Sequence, residues 1–166
     1  SERRMPQDGR IKMKLSKTRA IDFRVNTLPT LWGEKVVLRI LDPSSAKMGI
    51  EMLGFEEDQR KLFMDALVRP QGMVLVTGPT GSGKTTTLYS LLNHVKSEQV
   101  NIMTLEDPVE YPVDMIRQTS INEVARMDFA SGIRSMMRQD PDIILVGEIR
   151  DEDTAEMAFR AAMTGH

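Results

Sequence analysis

The sequence predicts an α/β protein in which a parallel β-sheet with crossover helices follows a shorter region of antiparallel strands. Between residues 9 and 42, apolar and polar residues alternate in short runs, as they do in half-buried strands. From about residue 53, apolar runs of strand length alternate with stretches of helical period, an order typical of a parallel sheet. We therefore expect residues 1–45 to be the C-terminal part of a small α+β domain and residues 46–166 to form the core.

The first region contains three predicted antiparallel strands. Residues 9–14 and 21–25 alternate between apolar and polar side chains, and residues 35–41 are rich in valine, leucine and isoleucine. Pro29 and Gly33 lie between the last two predicted strands and separate them. Asp42–Ser45 consists of residues that favour turns, and this predicts a linker to the core.

Each predicted element of the core has its own signal. Pro70 should end the first helix, and Asp128 and either Asp151 or Asp153 should cap later helices. The wholly apolar strand 143–146 suits the middle of a parallel sheet. In chain order the predicted elements are a helix over residues 56–69, a buried strand over 73–77, a helix containing Leu88, Leu91, Leu92 and Val95, a strand over 101–105, a helix after Asp128, a strand over 143–146 and a final helix.

The composition narrows the classes of function. The chain has 22 basic and 24 acidic residues, and this near-balance argues against nucleic acid as the main partner. It has no cysteine and only two histidines, so we expect no zinc site. No apolar run is long enough to span a bilayer, and no secretory signal is present, so a cytoplasmic protein is expected.

A phosphate-binding loop is the strongest motif. Residues 78–85 fit the pattern G-x-x-x-x-G-K-[ST] and lie between an apolar run and a helical stretch. Glycines allow the loop to turn its backbone N–H groups toward phosphate oxygens, and the N-terminus of the helix adds a partial positive charge. Lys84 is expected to reach the β- and γ-phosphates of ATP, and Thr85 to ligate Mg²⁺. The predicted phosphate-binding residues are Gly78, Pro79, Thr80, Gly81, Ser82, Gly83, Lys84, Thr85 and Thr86.

Acidic residues follow two of the predicted strands. Glu106 and Asp107 come directly after the strand 101–105, and Gly147 and Glu148 come after the strand 143–146. Ligands gather at the carboxyl ends of parallel strands, so these acids should face the phosphate loop. Many P-loop proteins place an aspartate where this chain has Gly147, so magnesium support is expected from Asp107 and Glu148. Glu148 is the favoured residue to activate water, with Glu106 as the alternative base.

Arg24 and Arg39 lie on neighbouring predicted strands of the first region. They share a face only if the strand register brings them together. A guanidinium projecting into another subunit's nucleotide site would act as an arginine finger, although composition alone favours ordinary surface arginines.

Several segments together resemble the type II secretion and type IV pilus assembly ATPases, often called the GspE/PilB family. The core segments that carry the resemblance are Gly78–Tyr89, Leu105–Tyr111 and Arg138–Asp151. The segments Met5–Arg10, Asp22–Pro29 and Gly33–Leu41 resemble the small domain that precedes the family's motor core. The resemblance covers nearly the whole chain, and its motifs occur in the family's order.

This resemblance implies a small PAS-like domain followed by a RecA-like core, with ATP and Mg²⁺ bound between the two. It places Glu106 and Asp107 in an aspartate box and Glu148 in a Walker B motif, and it makes Arg24 and Arg39 nucleotide-reaching arginines. Thr164–His166 resembles the opening of the family's histidine box, so the chain is expected to be a piece of a longer protein.

The resemblance also implies a biological role. Such proteins form homo-hexamers that act on platform proteins at the cytoplasmic side of the inner membrane. Hydrolysis of ATP then drives pilus assembly or protein secretion. The alternatives are a nucleotide-gated assembly module without turnover and a pilus retraction ATPase.

Overall fold

The computed structural model describes residues 2–121 and 126–166. The chain divides into two compact units between Ser45 and Ala46. None of the helices within the described residues combines the length and apolar character that a membrane crossing requires.

The first unit is an antiparallel sheet of three strands in the order β1-β2-β3. The strands are β1 (Gln7–Lys14), β2 (Ala20–Thr30) and β3 (Gly33–Leu41), all three longer than predicted. Leu31 and Trp32 form the turn between β2 and β3 and are 98% and 96% exposed. Gly33 closes this turn with a φ of 116°, a backbone conformation that glycine adopts without strain.

The second unit contains a parallel sheet of three strands in the order β5-β4-β6. Two short 3₁₀ helices, Pro43–Lys47 and Ile50–Leu53, lie at its start, and a third, Met137–Gln139, follows α3. The remaining elements, in chain order, are α1 (Glu57–Leu67), α2 (Lys84–Val95), β4 (Ile102–Glu106), β5 (Ile116–Ser120), α3 (Phe129–Met136), β6 (Ile143–Val146) and α4 (Glu152–Met163). Together with the antiparallel sheet, this architecture confirms the predicted α/β fold class.

The core of the second unit has two halves, one on each face of the sheet. On one face, Leu105 of β4 packs with buried residues of α3 and α4, including Ile133 and Met157. On the other face, Ile102 of β4 packs with Tyr89 and Leu92 of α2. Helices on both faces bury four of the five residues of the middle strand, as expected for a parallel sheet.

Two helix caps follow the prediction. Asp128 accepts a hydrogen bond from the backbone N–H of Ser131, and Asp151, rather than Asp153, accepts one from Thr154; both distances are 2.7 Å. Each cap satisfies one of the amide donors that a helix N-terminus leaves unpaired. These hydrogen bonds also lower the pKa values of both carboxyl groups below their ordinary value.

The prediction of a buried strand over residues 73–77 was wrong. No ladder joins this segment to another strand of the described chain, and Val74 and Leu75 are 40% and 64% exposed. The segment and β6 both line a cleft of about 1130 Å³. A strand needs a hydrogen-bonding partner along its length, and apolar sequence alone does not provide one.

The position predicted for residues 143–146 also needs correction. β6 has the predicted bounds but lies at the edge of the described sheet, while β4 is the middle strand. The third parallel strand is β5, whose sequence Ile116–Ser120 is too polar to have been recognised as a strand.

Candidate functional site

The phosphate loop lies at the N-terminus of α2. Gly78, Gly81 and Gly83 have φ values of 153°, 81° and 100°, so all three occupy conformations that other residues rarely adopt. A side chain at Gly78 would in addition collide with Ser82, because its Cβ would lie 2.6 Å from the hydroxyl oxygen. The glycine pattern of the motif is therefore explained by the observed backbone.

Lys84 is folded over this loop. Its ammonium group donates hydrogen bonds to the carbonyl oxygens of Gly78 at 2.7 Å and of Pro79 at 3.1 Å. Gly83 is the N-cap residue of α2 and provides no side-chain cap, so the first amides of the helix have no side-chain acceptor there. A positive side chain and the positive end of a helix dipole thus meet at one place, which favours an anion.

The cleft beside the loop brings most of the predicted site residues together. It contains the exposed Thr85 hydroxyl in the first turn of α2 and the carboxylates at the ends of two adjacent strands. The predicted site residues that line it are Gly78, Thr80, Gly81, Gly83, Lys84, Thr85, Thr86, Glu106, Asp107 and Glu148. Pro79 and Ser82 belong to the same loop without lining the cleft, and a turn hydrogen bond from Ser82 N to Pro79 O shapes it.

Glu148 is a partly accessible carboxylate of this cleft. It follows β6, its side chain is 33% exposed, and it pairs with Arg150 at 3.0 Å. Arg150 is 80% exposed and also lines the cleft, although the sequence did not single it out. A carboxylate that reaches solvent beside a phosphate loop can accept a hydrogen bond from a water molecule there.

Glu106 has a different environment, because it is only 6% exposed. One carboxylate oxygen accepts a hydrogen bond from the hydroxyl of Tyr89. The other accepts one from Thr104 at 2.6 Å and a longer one from Gln118 at 3.4 Å. Burial, together with the bond to Glu106 and its charge, raises the pKa of the Tyr89 hydroxyl above its usual value. The Glu106 carboxylate is therefore held by three neutral donors.

Gln118 extends this network to the loop that follows β4. Its side-chain amide donates to the carbonyl oxygen of Tyr111 and accepts from the amide of Val113, both at 2.8 Å. The hydroxyl of Ser120 accepts from the amide of Val109 at 2.9 Å. Polar residues of β5 thus hold the loop that begins at Asp107. The sequence analysis missed them because β5 itself was not predicted.

Gly147 occupies the position where many P-loop proteins have aspartate, and its backbone is closely packed. Its N–H donates to the carbonyl oxygen of Leu105 at 2.8 Å. A Cβ at this position would lie 3.1 Å from that oxygen and 3.2 Å from the Cα atom of Glu106. Glycine therefore allows β6 and β4 to lie close together where Glu106 is buried.

Asp107 is exposed and lines the cleft, and its peptide bond to Pro108 is cis. No group of three or more potential metal-binding side chains occurs among residues 2–121 and 126–166. The predicted oxygen ligands that line the cleft are the hydroxyl of Thr85 and the separate carboxylates of Asp107 and Glu148. Such a set suits a Mg²⁺ ion that is held mainly by nucleotide phosphates and water. His166 lies at the cleft as well, and its backbone oxygen accepts from Gly72 N at 3.3 Å.

Arg24 and Arg39 lie in the first unit, where they are direct partners in the β2–β3 register. Arg24 is half-buried and Arg39 is exposed. The condition stated for a shared face is therefore met, and their chemical role stays a prediction.

The site consists of a glycine-rich loop at the N-terminus of a helix, beside carboxylates that follow adjacent parallel strands. This arrangement is typical of the P-loop nucleotide-binding proteins. The model of the family described as "Type II/IV secretion system protein" matches residues 1–166. The chain therefore belongs to that family, and the resemblance to secretion and pilus assembly ATPases is confirmed.

Individual relatives agree with this placement. Over 166 residues the chain is 63% identical to the type IV pilus assembly ATPase PilB of Pseudomonas aeruginosa and 52% identical to type II secretion system protein E of Pectobacterium carotovorum. These alignments cover all of this chain but 29% and 33% of the relatives, so the chain spans about a third of their length. A structure of the pilus retraction motor PilT with bound ADP has a TM-score of 0.82 and 33% identity, covering 98% of this chain and 46% of that one.

Proposed function

We propose that this chain is the nucleotide-binding part of an ATP-hydrolysing motor for type IV pilus assembly or type II protein secretion. The observation that carries the proposal is the cleft that Lys84, Thr85 and the carboxylate of Glu148 line together. The names of the relatives, PilB and type II secretion system protein E, support the same assignment.

The loop and the first turn of α2 bind the phosphates. Lys84 exchanges its two backbone acceptors for the oxygens of the β- and γ-phosphates, which are stronger acceptors because they are charged. The first backbone N–H groups of α2, which have no side-chain acceptor at the N-cap, are available to the same anion. Magnesium, when bound, neutralises developing charge on the phosphates, and Thr85, Asp107 and Glu148 are the residues that would hold it, directly or through water.

Glu148 is the residue that orients the attacking water and accepts its proton. Its accessibility favours it over Glu106, whose oxygens already accept three hydrogen bonds in a buried site. Glu106 instead anchors the loop that carries Asp107, through Gln118 and the polar contacts of β5. This division of roles removes Glu106 as the base while keeping it necessary for the site.

Arg24 and Arg39 act as arginine fingers toward the nucleotide within a homo-hexamer of the full-length protein. Guanidinium groups suit this role because their planar forks match phosphate oxygens and stay charged. We place the motor in the cytoplasm, peripheral at the inner membrane, where it acts on platform proteins of the pilus or secretion machinery. The near-balanced charge of the chain argues against nucleic acid as the partner on which the motor acts.

The test is steady-state phosphate release by the full-length protein. Wild type should hydrolyse ATP in a magnesium-dependent reaction, and Lys84→Ala should abolish it. Glu148→Gln should bind ATP normally but turn over at least about a hundredfold more slowly, because general base catalysis contributes about that much or more. Glu106→Gln is the matched control, and it should retain more activity than Glu148→Gln. Undiminished turnover by Glu148→Gln would remove that residue from its role.

The same assay separates the alternatives. A nucleotide-gated module would bind ATP and release no phosphate in any variant. A retraction motor would hydrolyse ATP as well, so it must be distinguished in cells by whether deletion of the gene abolishes pili or increases them. The 63% identity to a pilus assembly ATPase, against 33% to the retraction motor, favours assembly.

A further inference from the structure

The connection between β4 and β5 is short for two adjacent parallel strands, since residues 107–115 form all of it. Such a connection usually takes a dozen or more residues and includes a helix. Residues 107–115, all of which the structure describes, contain no helix. They return along the strands over about 13 Å, because Ile116 at the start of β5 lies level with Ile102 at the start of β4. We refer to residues 107–115 as the strap.

The two ends of the strap have different surroundings. Asp107 and Glu110, near its start, line the cleft beside the phosphate loop. Tyr111 and Val113, further along, are half-buried and pack with Tyr89 on the face of the sheet that α2 covers. The position of the acidic start in the cleft therefore depends on how the later part of the strap is fixed to the sheet.

A single side chain of β5, that of Gln118, holds the strap at several points. Its Nε2 donates to the carbonyl oxygen of Tyr111, and its Oε1 accepts from the backbone N–H of Val113, both at 2.8 Å. Nε2 also donates to the carboxylate of Glu106 at 3.4 Å. The amide of glutamine has two N–H hydrogens and a carbonyl oxygen, so it can make all three bonds at once. The two backbone partners also fix the orientation of the amide, because an N–H group can only donate and a carbonyl oxygen can only accept.

We propose that Gln118 is a positioning residue for Mg²⁺-dependent ATP hydrolysis, because it holds Asp107 in the cleft. The inference rests on the proposed ATPase function and on the magnesium role proposed for Asp107. Gln118 binds Glu106, which directly precedes Asp107, and it binds Tyr111, four residues beyond Asp107. The chain is thus held on both sides of Asp107 by one side chain. Gln118 is not among the described residues that line the cleft, so it acts through Asp107.

The test compares Gln118→Met with Thr119→Val in the full-length protein. Methionine keeps the approximate length and volume of glutamine but makes none of the three hydrogen bonds. The Mg²⁺ concentration for half-maximal phosphate release should rise about 10-fold in Gln118→Met, because loss of a group that orients a metal-binding side chain typically lowers metal affinity by about 10- to 100-fold. At saturating Mg²⁺, kcat should stay within about threefold of wild type, since Lys84 and Glu148 remain in place.

Thr119→Val is the matched control, because Thr119 is the next residue of β5 and its side chain projects from the opposite face of the sheet. Its Mg²⁺ requirement should change by less than about twofold. Gln118→Glu keeps the length of the side chain but loses both donated bonds and adds a second carboxylate beside Glu106. It should therefore raise the Mg²⁺ requirement more than Gln118→Met does.

Two measurements that do not depend on turnover test the same inference. Hydrogen exchange followed by mass spectrometry should show the amides of the strap exchanging about tenfold faster in Gln118→Met, because the bond to Val113 is lost. Calorimetric titration with ADP should give equal affinities for wild type and Gln118→Met without Mg²⁺. The gain in affinity on adding Mg²⁺ should be about tenfold smaller in the variant.

An unchanged Mg²⁺ requirement in Gln118→Met, with wild type active, would overturn the inference and leave the proposed function intact. An equal rise in Thr119→Val would also overturn it, since the effect would then be a general one of altering β5. So would a lower kcat at saturating Mg²⁺ that merely follows a lower unfolding midpoint. Failure of the proposed function itself would be seen separately, as activity retained by Lys84→Ala.

Discussion

The hydroxyl of Tyr89 offers a sharp test of how Glu106 is held. The change Tyr89→Phe removes one of three hydrogen-bond donors to a carboxylate that is 6% exposed, and Tyr89 itself is 2% exposed. Water cannot readily replace the donor at such a buried place. A hydrogen bond to a charged group contributes about 1.5–3 kcal/mol, so we expect the free energy of unfolding to fall by about 2 kcal/mol. The ring remains, including its edge contact with Tyr111 at a centroid distance of 6.0 Å.

Ser90→Ala is the matched control for this prediction. Ser90 is the next residue of α2 and is 1% exposed, and its hydroxyl donates to the neutral carbonyl oxygen of Thr86 at 2.8 Å. Its loss should cost about 1 kcal/mol or less. Urea unfolding followed by far-ultraviolet circular dichroism gives both values from the midpoints and slopes. Equal losses in the two variants, or no loss in Tyr89→Phe, would refute the claim that Tyr89 holds a buried charged carboxylate.

Three further predictions follow from local packing and capping. Gly132→Ala should lower stability by about 1–3 kcal/mol in thermal or urea unfolding, because its Cβ would lie 2.3 Å from Cδ2 of the fully buried Leu105. Gly147→Ala and Gly147→Asp should both reduce stability through the close approach of β4. Gly147→Asp also adds a charge next to Glu106, so its stability should fall further than that of Gly147→Ala. Equal losses of stability in the two variants would contradict this account. Asp151→Ala should be less stable than wild type at neutral pH. The pKa of Asp151 in the folded protein lies below its usual value of 3.8, so the difference in stability between wild type and Asp151→Ala should shrink as the pH falls below 3.8. Asp151→Asn should keep the cap without that pH dependence.

Local sequence signals predicted the elements that depend on local chemistry. The caps at Asp128 and Asp151 and the strand 143–146 were found at their predicted places, because side-chain hydrogen bonds and apolar runs act over a few residues. The glycines of the phosphate loop were likewise predictable from the backbone conformations that they permit.

Elements that depend on a distant partner were not predictable in this way. Residues 73–77 are as apolar as a buried strand, yet no strand of the described chain pairs with them. β5 is polar because Gln118 and Ser120 use their side chains to hold the preceding loop, and that use is visible only once the loop is in place. A strand's identity here depends on its neighbours more than on its own propensity.

The candidate site shows the same distinction. The sequence indicated Glu106 and Glu148 as acids near the phosphates and favoured Glu148 as the base, with Glu106 as the alternative. The proposal that Glu106 is an anchor rests on its burial and on the donors that surround it, which the sequence does not reveal. The pairing of Arg24 with Arg39, too, appeared only with the strand register.

The most direct test of the central claim is a calorimetric titration of the full-length protein with ATP in the presence of magnesium. The loop at residues 78–85 and the ammonium of Lys84 should give saturable binding that is abolished or severely weakened in Lys84→Ala and preserved in Glu148→Gln. Absence of ATP binding by wild type, or unchanged affinity in Lys84→Ala, would contradict the account.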